Sequence, residues 1–167
     1  MALPFHSEDA TLRAITAHLR RISALPGPPP AGELTEARWQ LLNAILRQFI
    51  LKGRLVHGRL ANHPDPEIAE RARQFNAQSE ALYDLFAERS EGWTPDFAES
   101  DWPTFSASLR QLTDVVDSRL AYEEVALMPH LDDAPPATGD SISTHDWAAE
   151  EERLRARLNK WPAGRRV

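Results

Sequence analysis

The chain contains no cysteine at all, which removes disulfides, thiolate chemistry and cysteine metal sites together. It has no apolar run of roughly eighteen residues, so no transmembrane helix is expected. Its first residues, Met-Ala-Leu-Pro-Phe-His-Ser-Glu-Asp, lack both a basic start and an apolar stretch, so no signal peptide is expected and a cytoplasmic location is inferred. Basic charge is short: the net charge is −6, and phosphate backbones need a basic footprint, so nucleic acid is not an expected partner. There is no glycine-rich phosphate loop, no Ser-His-Asp order that stands out and no His-Glu-x-x-His.

What is present is helical. Prolines cut the chain at Pro26 to Pro30, at Pro64 and Pro66, at Pro95 and Pro103, and at Pro129 to Pro136. A proline inside a helix costs about 3 kcal/mol, so these clusters mark boundaries. The first helix is expected from about Ser7, as N-cap, to Ala24, with Leu12, Ile15, Leu19 and Ile22 at helical spacing. The second begins near Thr35 and carries Leu42, Ile45, Phe49, Val56 and Leu60 on one face. The third opens at Asp65-Pro66, a cap followed by proline at the first helical position. The fourth starts between Asp101 and Pro103 and carries Phe105, Leu109, Leu112, Val116, Leu120 and Leu127. A shorter fifth, about 144–160, opens on a capping box of Ser143 and Asp146, with Trp147, Leu154, Leu158 and Trp161 as its stripe. Four long helices with short connections predict an all-α domain: an antiparallel up-and-down four-helix bundle over about 5–132, with the short C-terminal helix added. Trp39, Trp93 and Trp102 are expected as packing anchors at bundle ends.

Two segments share one pattern. Leu42-x2-Ile45-x3-Phe49-x2-Lys52-x3-Val56-x3-Leu60 matches Leu109-x2-Leu112-x3-Val116-x2-Arg119-x3-Glu123-x3-Leu127 at every step. Asp9, Leu12 and Ile15 echo Ser79, Leu82 and Leu85 at a nearly equal offset. Two related helix hairpins would produce this, although helical periodicity alone produces part of it.

The stretch Arg119-Leu-Ala-Tyr-Glu123-Glu124-Val-Ala-Leu-Met-Pro129 resembles the fourth-helix signature of hemerythrin-like, or HHE cation-binding, domains. That signature is a histidine, a glutamate four residues later, often a second glutamate, an apolar pair and a proline. The resemblance implies a bundle whose inward histidines and carboxylates hold two iron atoms, where dioxygen or a related small molecule binds. This chain departs from it. Arg119 stands at the histidine place of helix four, Lys52 and Val56 at the His and Glu places of helix two, and Asp9 and Ser79 at the histidine places of helices one and three. Only Glu123 keeps the family identity. A guanidinium has no lone pair for a metal, and lysine offers one only after losing its proton.

The expectation is therefore a lost di-iron site, with no cofactor, replaced by a charge cluster in which Arg119 and Lys52 pair with Glu123 and Asp9, with Glu124 alongside. The alternative is a surface pair of Arg119 with Glu123 and a merely capping Asp9. The six histidines do not form His-x3-His; His63 to Glu67 crosses two prolines, and His57, five residues after Lys52, is expected to face away from it. Function follows in three readings. The first is a non-catalytic regulatory or interaction protein, not an enzyme, that contacts an unidentified protein through the fifth helix or an apolar face. The second is a divergent di-iron oxygen- or redox-sensing or carrier protein, with iron as cofactor. The third is an enzyme using the buried acids and bases, which fold alone cannot license. A homodimer through bundle faces is left open by the sequence, and no membrane partner is expected.

Overall fold

The computed structural model describes residues 4–90 and 92–136, together with Ala149, Glu152 and Ala156. Among the described residues the chain is all-helical, without a strand. Helix α1 spans Pro4–Ser23 and α2 Ala31–Lys52; α2 runs on through a π-turn, Gly53–His57, into the single turn α3, Gly58–Leu60. After Pro66–Ser90 (α4) come the short α5, Pro95–Ser100, and the long α6, Trp102–Ala126, which ends in a 3-10 turn, Met128–His130. No described helix is long and apolar enough to cross a membrane. The expected C-terminal helix lies outside the described residues except for those three positions, each of which is helical.

Local chemistry explains the boundaries. Asp65 Oδ1 accepts from the Glu67 amide at 2.9 Å and Pro66 opens α4, where a missing N–H is not needed. Asp101 caps α6 through the Thr104 amide at 3.3 Å, and Thr94 caps α5 through the Phe97 amide at 3.1 Å. Two starts fall earlier than the sequence suggests. Helix α1 already runs at Pro4, because proline is tolerated in a first turn, so Ser7 is no cap and its carbonyl accepts from the Thr11 hydroxyl. Helix α2 starts directly after the proline run, with the Pro30 carbonyl taking the Glu33 amide. The stretch between Pro95 and Pro103, expected as a break, holds α5.

Helix α1 packs on α2 and on α6, and α2 packs on α4. Two apolar clusters result. The larger joins Leu12, Leu19, Leu41, Leu46, Tyr83, Leu109 and Leu120 with their neighbours; the smaller joins Val56, Leu60, Ile68, Phe75, Leu127 and Leu131. The larger cluster ends at Leu120 on α6 and the smaller begins at Leu127, just past its end; from α2 into the π-turn the corresponding limits are Leu46 and Val56. Between them lies a layer of buried polar side chains: Lys52, His57, Asn76, Ser79, Glu80 and Glu123. Trp102 is buried and donates its Nε1–H to the Leu25 carbonyl at 2.8 Å, fastening the α1–α2 connection; Trp93 packs against the larger cluster. Trp39, expected as an anchor, is 44% exposed, because the core-facing side of α2 is taken by Leu41, Leu42, Ile45 and Leu46. At the opposite end Arg59 donates to the carbonyls of Leu131, Ala134 and Pro135, holding the segment after α6.

Candidate functional site

The polar layer is built around Glu123, on α6 and 3% exposed. One of its oxygens, Oε1, accepts a short hydrogen bond from the Lys52 ammonium at the end of α2. The other, Oε2, faces His57 Nε2 at 2.7 Å. Lys52 also bonds Asp9 Oδ1 from α1 at 2.7 Å, and Gln48 Nε2, one turn earlier on α2, donates to that same oxygen at 2.7 Å. On the far side of the imidazole, Nδ1 meets Asn76 Oδ1 at 2.9 Å, and Asn76 Nδ2 donates to Glu80 Oε1 at 3.2 Å. Since Asn76 gives its Nδ2 to Glu80, its oxygen is the atom facing the ring. Both ring nitrogens then meet acceptor atoms and are engaged.

The electrostatics follow from burial and pairing. Burial alone pushes the Glu123 pKa up, because the charged form loses its water. The hydrogen bond from His57 and the charges of Lys52 and His57 outweigh that, and hold the carboxyl below the ordinary glutamate value. Partial burial lowers the Arg119 guanidinium from its ordinary value, against the pull of Glu123.

Sequence reading and structure part company at Arg119, Glu124 and His57. Arg119 does not pair with Glu123: its Nη2 reaches across to α4, donating to the Phe75 carbonyl at 2.9 Å and to Ser79 Oγ at 2.6 Å, while its guanidinium lies 4.1 Å from the centre of the Phe75 ring. A guanidinium stacks and forks in ways an ammonium does not, and a carbonyl beside an aromatic face satisfies both habits. Glu124 is not alongside the cluster. It points outward and pairs with Arg13 at 3.0 Å, with its side chain 71% exposed. Val56 is fully buried in the smaller apolar cluster, in keeping with its place on the apolar stripe of helix two. Asp9 and Lys52 meet, and Ser79 receives Arg119.

The residue that sequence reasoning turned away from is His57. In an α-helix, five residues after Lys52 it would stand about 140° around the axis. The π-turn changes the count: the Gly58 amide bonds the Gly53 carbonyl, an i to i+5 link that lays residues five apart over one another. His57 therefore shares the face of Lys52. The only trace in the sequence is the pair Gly53 and Gly58 flanking the turn, and glycine merely weakens a helix by about 1 kcal/mol.

Asp9, His57 and Glu123 are ligand-type side chains, but the Lys52 ammonium lies between the two carboxylates and bonds both. Among the described residues no group of three or more histidine, aspartate or glutamate side chains is arranged to hold an ion. This donor set does not fit an iron pair. Against the cluster lies a cavity of about 70 Å³ whose open surface is largely apolar, with Leu12, Ile45, Val116 and Leu120 among its walls, and which Gln48, Lys52, His57, Ser79, Arg119 and Glu123 also line. The chain matches no known family, no curated protein and no solved structure in the comparisons made with each.

Proposed function

We propose that the chain is a hemerythrin-like domain, its long helices arranged up and down as a four-helix bundle, in which the metal level is held by side chains instead of iron. Its work is then non-catalytic, as a cytoplasmic regulatory or interaction protein. The observation that carries this reading is the position of Lys52 Nζ, bonded to Asp9 from one helix and to Glu123 from another. A buried cation with two carboxylate partners does for the helices what a bridging metal would do. It ties them at one level and satisfies the acids, and a second cation there would meet repulsion. His57 has both ring nitrogens engaged, Nδ1 by Asn76 and Nε2 by Glu123, which leaves neither free for a metal. Two exposed apolar side chains one turn apart on α6, Tyr122 (47%) and Val125 (76%), support the interaction half of the reading.

The test is metal content. Protein expressed in iron-supplemented medium is expected to carry no stoichiometric transition metal by elemental analysis; two iron atoms per chain would overturn the reading. The Lys52→Ala variant sharpens it. With the ammonium gone, Asp9, His57 and Glu123 surround a place that calls for a cation, so added Zn²⁺ is expected to raise the melting temperature of the variant and leave the wild type unmoved.

A further inference from the structure

Helix α1 closes tightly on α2 and on α6, whereas α4 and α6 approach each other little, and Arg119 reaches across the interval between them beside the Phe75–Tyr122 ring stack and the Arg71 bond to the Ala126 carbonyl. Behind Arg119 lies the cavity of about 70 Å³. Leu82, Val115 and Arg119 wall both this cavity and a wider groove of about 580 Å³ on the outer face, so the inner space has a mouth. One water takes up roughly 30 Å³ in the liquid and needs two to four polar partners to be held well. The polar residues on the inner walls, already bonded to one another or to the backbone, leave little polar surface open toward it.

One unmet polar atom is present. Gln48 is 6% exposed and lines the cavity; its Nε2 is committed to Asp9 at 2.7 Å, and its Oε1 is buried with no hydrogen-bond partner. The bond to the carboxylate fixes the amide orientation, because only the nitrogen can donate. A buried acceptor left without a donor is costly, and each such case asks for a missing group. The neighbouring charges ask for nothing: Lys52 pairs with Asp9 and Glu123, His57 with Glu123 and Asn76, and Arg119 with Phe75 and Ser79.

We infer that this cavity is a binding site for a small neutral molecule with an apolar body of about three to five non-hydrogen atoms and one O–H or N–H group, which donates to Gln48 Oε1. The apolar body lies among Leu12, Ile45, Val116 and Leu120, and Arg119 stands at the mouth. A charged ligand is refused, since the ion pairs below are already complete and desolvating a further charge would go unrewarded. The site goes beyond the lost-metal reading but rests on it in part, since Lys52, His57 and Glu123 also line the cavity; its test reads ligand-induced shifts, so its failure is distinguishable from a metal found by elemental analysis.

The test uses 2-propanol and acetone, which have the same number of heavy atoms but differ in having or lacking a donor. NMR titration of the full chain, following the methyl groups of Leu12, Ile45, Val116 and Leu120, is expected to show saturable shifts with 2-propanol in the roughly millimolar range that so small a compound permits. Acetone is expected to bind at least about tenfold more weakly, as sites built to hydrogen-bond one group reject the analogue lacking it. In Gln48→Met that preference is expected to vanish. In Val116→Phe, which fills the cavity and leaves the Gln48–Asp9 bond in place, binding of both is expected to be lost, so a misfolded Gln48→Met leaves the question decidable. Equal affinity for the two compounds in the wild type, undiminished 2-propanol binding in Val116→Phe, or methyl signals that stay put at all concentrations, as for a cavity holding water alone, would each overturn the inference.

Discussion

Lys52 and His57, five residues apart in sequence, hold the two oxygens of one carboxylate, that of Glu123. The carboxylate thereby joins the second helix to α6 at two points, on either side of a π-turn. Because all three side chains are almost wholly buried, the link is shielded from water and salt.

Removing the shared partner is therefore expected to be severe. Glu123→Ala leaves the buried Lys52 ammonium with Asp9 as its remaining carboxylate partner and takes the partner of His57 Nε2 away, and is expected to cost about 3–5 kcal/mol in urea unfolding. Its sequence neighbour gives the contrast. Glu124→Ala breaks an exposed pair with Arg13 and is expected to change stability by less than about 0.5 kcal/mol, since solvent screens that pair.

Acid should undo the Glu123 contribution specifically. The folded-state pKa lies below the ordinary value, so its stabilising effect is fully present above the unfolded carboxylate pKa and fades as pH falls through the depressed folded value. The difference in unfolding free energy between wild type and Glu123→Gln is expected to be largest near neutral pH and to shrink toward strong acid. A difference that grows on acidification would contradict the assignment.

Arg119 is expected to act as a bridge between helices and not as a partner of Glu123. Arg119→Met keeps the apolar stem but loses the bonds to Phe75 and Ser79 and the contact with the Phe75 ring, a loss of about 1–3 kcal/mol. A double-mutant cycle with Ser79→Ala should return a coupling of about 0.5–3 kcal/mol, whereas a cycle with Glu124→Ala should return none.

Much of this was legible in the chain itself. Prolines and apolar stripes marked the four long helices, because helix boundaries and core faces are local properties. The polar layer was visible as Lys52, Arg119 and Glu123 interrupting otherwise apolar stripes. What could not be read was the choice of partner. Arg119 had Glu123 within reach one turn away, yet it turns to a carbonyl, a hydroxyl and a ring on α4, partners far away in sequence that only the packing of α4 beside α6 brings within reach. Glu123 and Glu124 are chemically alike, and only the helix phase assigns one to the core and the other to water. His57 was hidden for a different reason: the rule that placed it assumed 3.6 residues per turn, and the local helix does not obey it.

That local departure has a consequence for how the chain tolerates change in length. The π-turn accommodates one residue more than an α-helical path between Lys52 and Gly58 would need. Deleting Gly53 would let the segment relax to ordinary winding with Lys52 and His57 four residues apart, about one α-helical turn, so His57 would still face Glu123, and Val56 and Leu60 the smaller apolar cluster. A deletion within the regular winding of α2 has no such turn to absorb it, and would swing every side chain beyond it by about 100°. The protein thus keeps its buried cluster by spacing as much as by residue identity, and the π-turn is where this helix can lose a residue and keep the cluster.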